Sequence, residues 1–178
     1  MPVSDERMID LDTIIGQDGA VEALRRFLSA GRLPHALLFA GPEGVGRRTT
    51  AQALAAEVLC EQPDAPAGRA CGACPSCRQL AAETHPDFQV ITKELARYHD
   101  NPNVRGRAMQ QLGIDVIRQF LIAPAHRAPA RGRGKVFVVR EAELMSQAAQ
   151  NALLKTLEEP PAGVILVLLC ERTEQMLP

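Results

Sequence analysis

Three closely spaced glycines, placed where an apolar run gives way to a helix-like stretch, restrict this fold more than any other feature. Leu37-Leu38-Phe39-Ala40 leads into Gly41-Pro42-Glu43-Gly44-Val45-Gly46, and Arg47-Arg48-Thr49 follows. A buried strand that turns through glycines into a helix aims several backbone N–H groups at one point, which suits an anion. The phosphate-loop pattern asks for lysine directly after the last glycine and a hydroxyl residue after that. Here those two places hold Arg47 and Arg48. Arg47 keeps a positive charge on a bulkier, planar group, whereas Arg48 cannot ligate magnesium. Thr49 comes one residue late, a rotation of about 100° and a shift of ~1.5 Å, so its hydroxyl is expected to point elsewhere.

A magnesium site of this type draws its second contact from an acidic pair at the end of a later strand. Val136-Phe137-Val138-Val139 is such a strand, and Arg140-Glu141 follows it. Both customary contacts are therefore replaced. Lysine occurs only at Lys93, Lys135 and Lys155, so Arg47 alone fits an arginine-biased composition. That explanation does not reach Arg48 or Arg140. Gly41, Gly44, Gly46, Arg47 and Arg48 stay as candidates for weak anion or nucleotide binding, with no magnesium and no hydrolysis expected.

The rest of the chain reads as strands alternating with helices. Helices are expected over 18–29, with Asp18 as N-cap, and over 47–59, with Ala51, Leu54, Ala55 and Val58 on one face. Further helices are expected over 114–122 and over 147–158, the last capped by Ser146 and stopped by Pro160-Pro161. Strands are expected at 37–40, 88–92, 136–139 and 164–170. Unbroken apolar runs with helical crossovers imply an α/β fold with a parallel sheet covered on both faces. At 178 residues and 46% hydrophobic the chain suits one domain with a small insert. Segment 93–113 is polar and is expected to run over the surface. The start of the chain is unlike a secretory signal, and the longest apolar run is too short to cross a bilayer. A cytoplasmic protein is the resulting expectation.

Cys60, Cys71, Cys74 and Cys77 are spaced C-x10-C-x2-C-x2-C, with Gly72 and Pro75 supplying turns. Two overlapping C-x-x-C steps aim three sulfurs at one point, and Cys60 can complete a tetrahedron. A closed shell of four thiolates suits structural zinc. Ordinary reduced thiols in a loop and a redox C-x-x-C pair are the competing readings. Cys170 reads as a core residue. His85, in Thr84-His85-Pro86-Asp87, is either a spare ligand or a turn residue. The loop 127–135 carries Arg127, Arg131, Arg133 and Lys135 without an acid or an aromatic, so a phosphate-contacting patch competes with a solvated loop. Glu158 and Glu159 end a helix where its dipole disfavours anions, so a compensating arginine on this chain or a neighbouring one competes with two solvated acids before a proline stop.

These elements resemble the delta prime subunits of the bacterial DNA polymerase III clamp loader, within the AAA+ superfamily of P-loop NTPases. The resemblance rests on the stretch from Leu33 to Gly44, the four-cysteine insert at 60–77, Thr84-His85-Pro86-Asp87, and Asn151-Ala152-Leu153-Leu154-Lys155-Thr156-Leu157-Glu158-Glu159-Pro160-Pro161. It covers nearly the whole chain from Ile14. It implies a three-layer AAA+ subdomain with a small zinc insert, spanning 1–178 of a longer protein whose lid and collar domains come after 178. It also implies a non-hydrolysing subunit that sits in a hetero-pentamer with gamma/tau and delta and helps load the sliding clamp onto primer-template DNA. In that setting the chain is a component of the polymerase holoenzyme, a nucleotidyltransferase complex. The family's Ser-Arg-Cys arginine finger falls on no residue here. Two alternatives stay open: a catalytically active gamma/tau-like ATPase, and a zinc-ribbon nucleic-acid module on a nucleotide-binding scaffold.

Overall fold

A computed structural model describes residues 10–63, 69–105, 110–131 and 133–175. Four strands, β1 (Ala36–Ala40), β2 (Phe88–Ile91), β3 (Lys135–Val139) and β4 (Val164–Cys170), form one sheet in the order β1-β4-β3-β2. Every pairing is parallel. The helices are α1 (Asp18–Ser29), α2 (Arg47–Leu59), α3 (Pro75–Ala81), α4 (Pro102–Arg105), α5 (Ile114–Ile117), α6 (Ala123–Ala125) and α7 (Gln147–Glu158).

Alternation along the central strands produces three layers. Phe137, Val139, Leu166 and Leu168 face one core, shared with Val116, Ile117 and Leu121 around α5 and with Ala149 and Leu153 of α7. Val136, Val138, Val167 and Leu169 face the other core, shared with Leu24 of α1 and with Ala51, Leu54 and Ala55 of α2. Because both faces are covered, β3 is buried at every position. Where β3 and β4 begin, Lys135 N–H donates to the carbonyl of Gly163 at 2.8 Å. A Cβ on Gly134 would lie 2.5 Å from that same oxygen, so the close approach requires glycine there.

The observed boundaries of α1, α2, α7 and β4 coincide with those read from the sequence, and Ser146 caps α7 by accepting from Ala149 N–H at 3.2 Å. Several details differ. Gln17, not Asp18, is the N-cap of α1. Helix α2 is enclosed well beyond one face, since Thr50, Ala53, Ala56, Glu57 and Leu59 are also buried, while Val58 is only partly so. Small alanines let its neighbours approach from several sides. The helix at 114–122 is α-helical only to Ile117; Arg118–Ile122 forms a π-turn that leads into α6 at Pro124. Segment 93–113 is not purely a surface excursion. It holds a 3-10 turn (Lys93–Tyr98) and α4, and it buries Ala96, Val104 and Leu112. Residues 106–109 of that segment lie outside the described residues.

Candidate functional sites

Helix α2 carries a candidate site at each end. At its C-terminus Cys60 is the cap, and α3 brings in Cys74 as its own N-cap and Cys77 within its first turn. One sulfur from each of Cys60, Cys71, Cys74 and Cys77 lies within 4.8 Å of all the others. Cys60 Sγ and Cys74 Sγ are 3.9 Å apart. A tetrahedron with zinc–sulfur bonds of about 2.3 Å has edges of about 3.8 Å, so this spacing fits a zinc ion. Cysteines 60, 74 and 77 are buried and Cys71 is half-buried.

Backbone donors surround the sulfurs. Cys71 N–H points to Cys60 Sγ at 3.3 Å, Cys74 N–H to Cys71 Sγ at 3.3 Å, and Cys77 N–H to Cys74 Sγ at 3.4 Å. Burial works against a thiolate at Cys74. The backbone N–H groups of Cys77 and Glu61, with the thiols of Cys77 and Cys71, outweigh it and bring that pKa down to about 6. Burial pushes Cys60 and Cys77 up, the opposing tendency that a cation at the centre would relieve. All five cysteines are free thiols, and Cys170 is buried in the core as expected.

His85 is not a fifth ligand. It is buried, its Nδ1 accepts Asp87 N–H at 3.0 Å, and its Nε2 lies 2.7 Å from Ser76 Oγ. Since Nδ1 accepts, Nε2 carries the proton and donates. Desolvation holds the imidazole below its ordinary pKa, opposed by the charge of Asp87.

At the N-terminus of α2 the glycine loop borders a cleft of roughly 580 Å³, with the ends of β3 and β4 opposite. Gly46 is the N-cap at φ 94°, a left-handed conformation that glycine adopts freely. The lining includes Gly44, Gly46, Arg47 and Arg48; Gly41 precedes it, at the end of β1. Thr49 is among the residues that line the cleft, and the hydroxyl of Thr50 donates to the Gly46 carbonyl at 3.0 Å.

Both arginines that open α2, and Glu141 opposite, have ionic partners within the chain. Arg47 Nη2 lies 3.6 Å from Glu171 Oε1, and Arg48 Nη2 lies 2.7 Å from Glu83 Oε1. Lys93 Nζ reaches Glu141 Oε1 at 3.2 Å. Glu141 takes φ 49°, a conformation that non-glycine residues adopt at a cost. The lining holds four arginines (47, 48, 140 and 172) and four glutamates (43, 141, 143 and 171). Sequence reasoning missed Glu171, Glu83 and Lys93, because no local pattern marks an ion pair between distant segments.

Near the end of α7, where Glu158 and Glu159 call for compensation, His35 Nε2 donates to the carbonyl of Leu157 at 2.9 Å. In the basic loop, Arg131 Nε pairs with Glu61 Oε1 at 2.5 Å and Lys135 Nζ donates to the Pro124 carbonyl at 2.7 Å. Arg127 and Arg133 are exposed, and Gly132 lies outside the described residues. No helix among the described residues is long and apolar enough to cross a membrane.

Residues 16–178 match the family model described as DNA polymerase III, delta subunit. The chain belongs to this family. Relatives named delta' and relatives named gamma/tau or tau both match. It is 39% identical to DNA polymerase III subunit delta' of Pseudomonas aeruginosa over 144 residues, covering 81% of this chain and 39% of that protein. It is 35% identical to subunit delta' of Escherichia coli K12, covering 88% of this chain and 42% of that protein. It is 34% identical to subunit gamma/tau of Mycobacterium tuberculosis, covering 93% of this chain and 26% of that protein. The chain thus spans between about a quarter and two-fifths of the length of these family members. Among solved structures, the Thermotoga maritima RuvB Holliday junction branch migration motor superimposes with a TM-score of 0.53 at 18% identity, covering 97% of this chain and 44% of that one. A gamma subunit-related protein of the same organism gives 0.51 at 22%, covering 88% and 41%. These likenesses carry the fold, which is AAA+.

Proposed function

We propose that this chain is a clamp-loader subunit of delta prime type. It takes its place beside gamma/tau and delta subunits in a hetero-pentamer, helps to load the sliding clamp onto primer-template DNA, and leaves ATP hydrolysis to its neighbours. The zinc held by Cys60, Cys71, Cys74 and Cys77 is structural, because a closed shell of four sulfurs has no open position for a substrate.

One observation carries the reading: the charged groups at the glycine loop are engaged by the chain itself. A working phosphate site concentrates unpaired cations and a magnesium-holding oxygen pair around the transferred group. Here Arg47 faces Glu171, Arg48 is drawn off to Glu83, and Glu141 is tied to Lys93. With four acids balancing four bases in the lining, a triphosphate gains little net attraction.

The second reading is a gamma/tau-like ATPase. It is favoured by Thr49 in the lining and by Glu143 Oε2, a buried oxygen with no hydrogen-bond partner, on which a cation could rest. Magnesium-dependent ATP turnover by the purified chain separates the two. The delta prime reading expects none above a buffer blank, whereas turnover that disappears in Arg47→Ala selects the ATPase.

A further inference from the structure

We propose that the four-cysteine cluster is a metal-dependent brace for the cationic segment that precedes β3, so that loss of the ion releases that segment. The inference is separate from the nucleotide cleft and from the clamp-loader reading. It explains why Thr84-His85-Pro86-Asp87 and the basic loop lie beside the cysteines.

Two arms run from the cluster to the same residue. The first begins at Cys60. The next residue in the chain is Glu61, whose carboxylate accepts from Arg131 Nε at 2.5 Å. The second begins at Ser76, between Cys74 and Cys77. Its hydroxyl lies 2.7 Å from the Leu59 carbonyl and 2.7 Å from His85 Nε2. A carbonyl can only accept, so Ser76 donates to Leu59 and receives from His85. His85 Nδ1 in turn takes the N–H of Asp87 at 3.0 Å.

Asp87 closes the circuit. Its two carboxylate oxygens accept from Ala130 N–H at 2.8 Å and Arg131 N–H at 2.9 Å, and its carbonyl accepts from Val136 N–H at 2.9 Å. Ser76, His85 and Asp87 are all nearly inaccessible, so the bonds that link them are sheltered from water and costly to leave unmade. Arg131 is thereby gripped at its backbone by one arm and at its guanidinium by the other.

A four-thiolate ion would fix Cys60 relative to Cys74 and Cys77, and so fix where both arms start. Without it, four mutually close sulfurs have no common partner, and metal affinity becomes folding free energy for whatever they position. Release would free the Arg131 guanidinium from Glu61 and add it to the exposed Arg127 and Arg133. The segment would become looser and more cationic together.

Hydrogen exchange measured by mass spectrometry tests this on the intact chain. Stripping zinc with a chelator should speed exchange at the amides of Ala130 and Arg131 about tenfold, with β4 amides unchanged. The Glu61→Arg variant leaves all four cysteines in place. It should hold one zinc per chain and still exchange faster at those two amides. Equal protection of Ala130 and Arg131 in stripped and loaded protein would overturn the proposal. If stripping also exposes β4, Glu61→Arg decides alone, and unchanged exchange in its zinc-bound form overturns it.

Discussion

The two ends of α2 present opposite solutions to the same electrostatic problem. A helix concentrates partial positive charge at its N-terminus and partial negative charge at its C-terminus. At the C-terminal end, Cys60 and its three companions leave four sulfurs aimed at one another with N–H donors behind them. A cation fits among them, and it also suits the local dipole. At the N-terminal end, the first two helical residues are Arg47 and Arg48, which oppose the dipole where an anion would be welcome. Their charges are met by Glu171 and Glu83 from other parts of the chain. Four thiol sulfurs that converge on one point suit a metal ion. Groups that have found partners within the chain indicate a scaffold.

The comparison can be broken at either end. The largest effect should come from Cys77→Ser, which is expected to abolish zinc binding and lower the melting temperature by about 10 °C; metal analysis and thermal unfolding measure both. If the chain keeps its stability without zinc, the cluster is not structural. Next, the triple change Arg47→Lys, Arg48→Thr and Arg140→Asp puts a lysine, a hydroxyl and an acid at the three altered positions. Magnesium-dependent ATP affinity should rise by about a hundredfold, or ~2.7 kcal/mol, by calorimetric titration. No gain would mean that the cleft is closed for reasons other than these residues.

A smaller loss is expected from Ser76→Ala, which strands the His85 Nε2 proton and the Leu59 carbonyl. Leaving such buried groups unpaired costs about 1–3 kcal/mol, read by denaturant unfolding. The pH dependence sharpens the same side. His85 is held neutral below its ordinary value of 6.5, first by desolvation, so the unfolded chain binds more protons between the folded pKa and that value. Stability should therefore fall as the pH drops through about 6.5 and below, and His85→Gln should flatten that slope in thermal scans taken from pH 7.5 to 5. The smallest effect belongs to the exposed pair at Arg48: Glu83→Ala should change stability by less than about 0.5 kcal/mol.

The fold was legible where local signals agree. Helix α7 has a serine cap, an apolar face and a double-proline stop, and its observed ends are those of the sequence reading. Strands β3 and β4 announced themselves as unbroken apolar runs because they are covered on both faces. Helix α3 was not legible, since its N-cap is Cys74 with sulfur as the acceptor, outside the usual Ser, Thr, Asp and Asn set. The π-turn at Arg118–Ile122 leaves an apolar pattern that also fits a plain α-helix.

The cysteine cluster could be read from spacing alone because its ligands lie within one short segment. The circuit through His85, Asp87, Arg131 and Glu61 could not, since its members come from three separate stretches. The same reason hid Glu171 from any reading of the glycine loop. Ionic partners are chosen by the tertiary fold, and sequence periodicity carries no record of them.

The most direct test of the contrast between the two ends is a calorimetric titration of the zinc-loaded full-length protein with ATP, run with and without magnesium and followed by a phosphate-release assay. The account predicts the same weak or undetectable binding in both titrations and no phosphate released. A tenfold or greater strengthening of ATP binding by magnesium, with phosphate appearing over time, would contradict it.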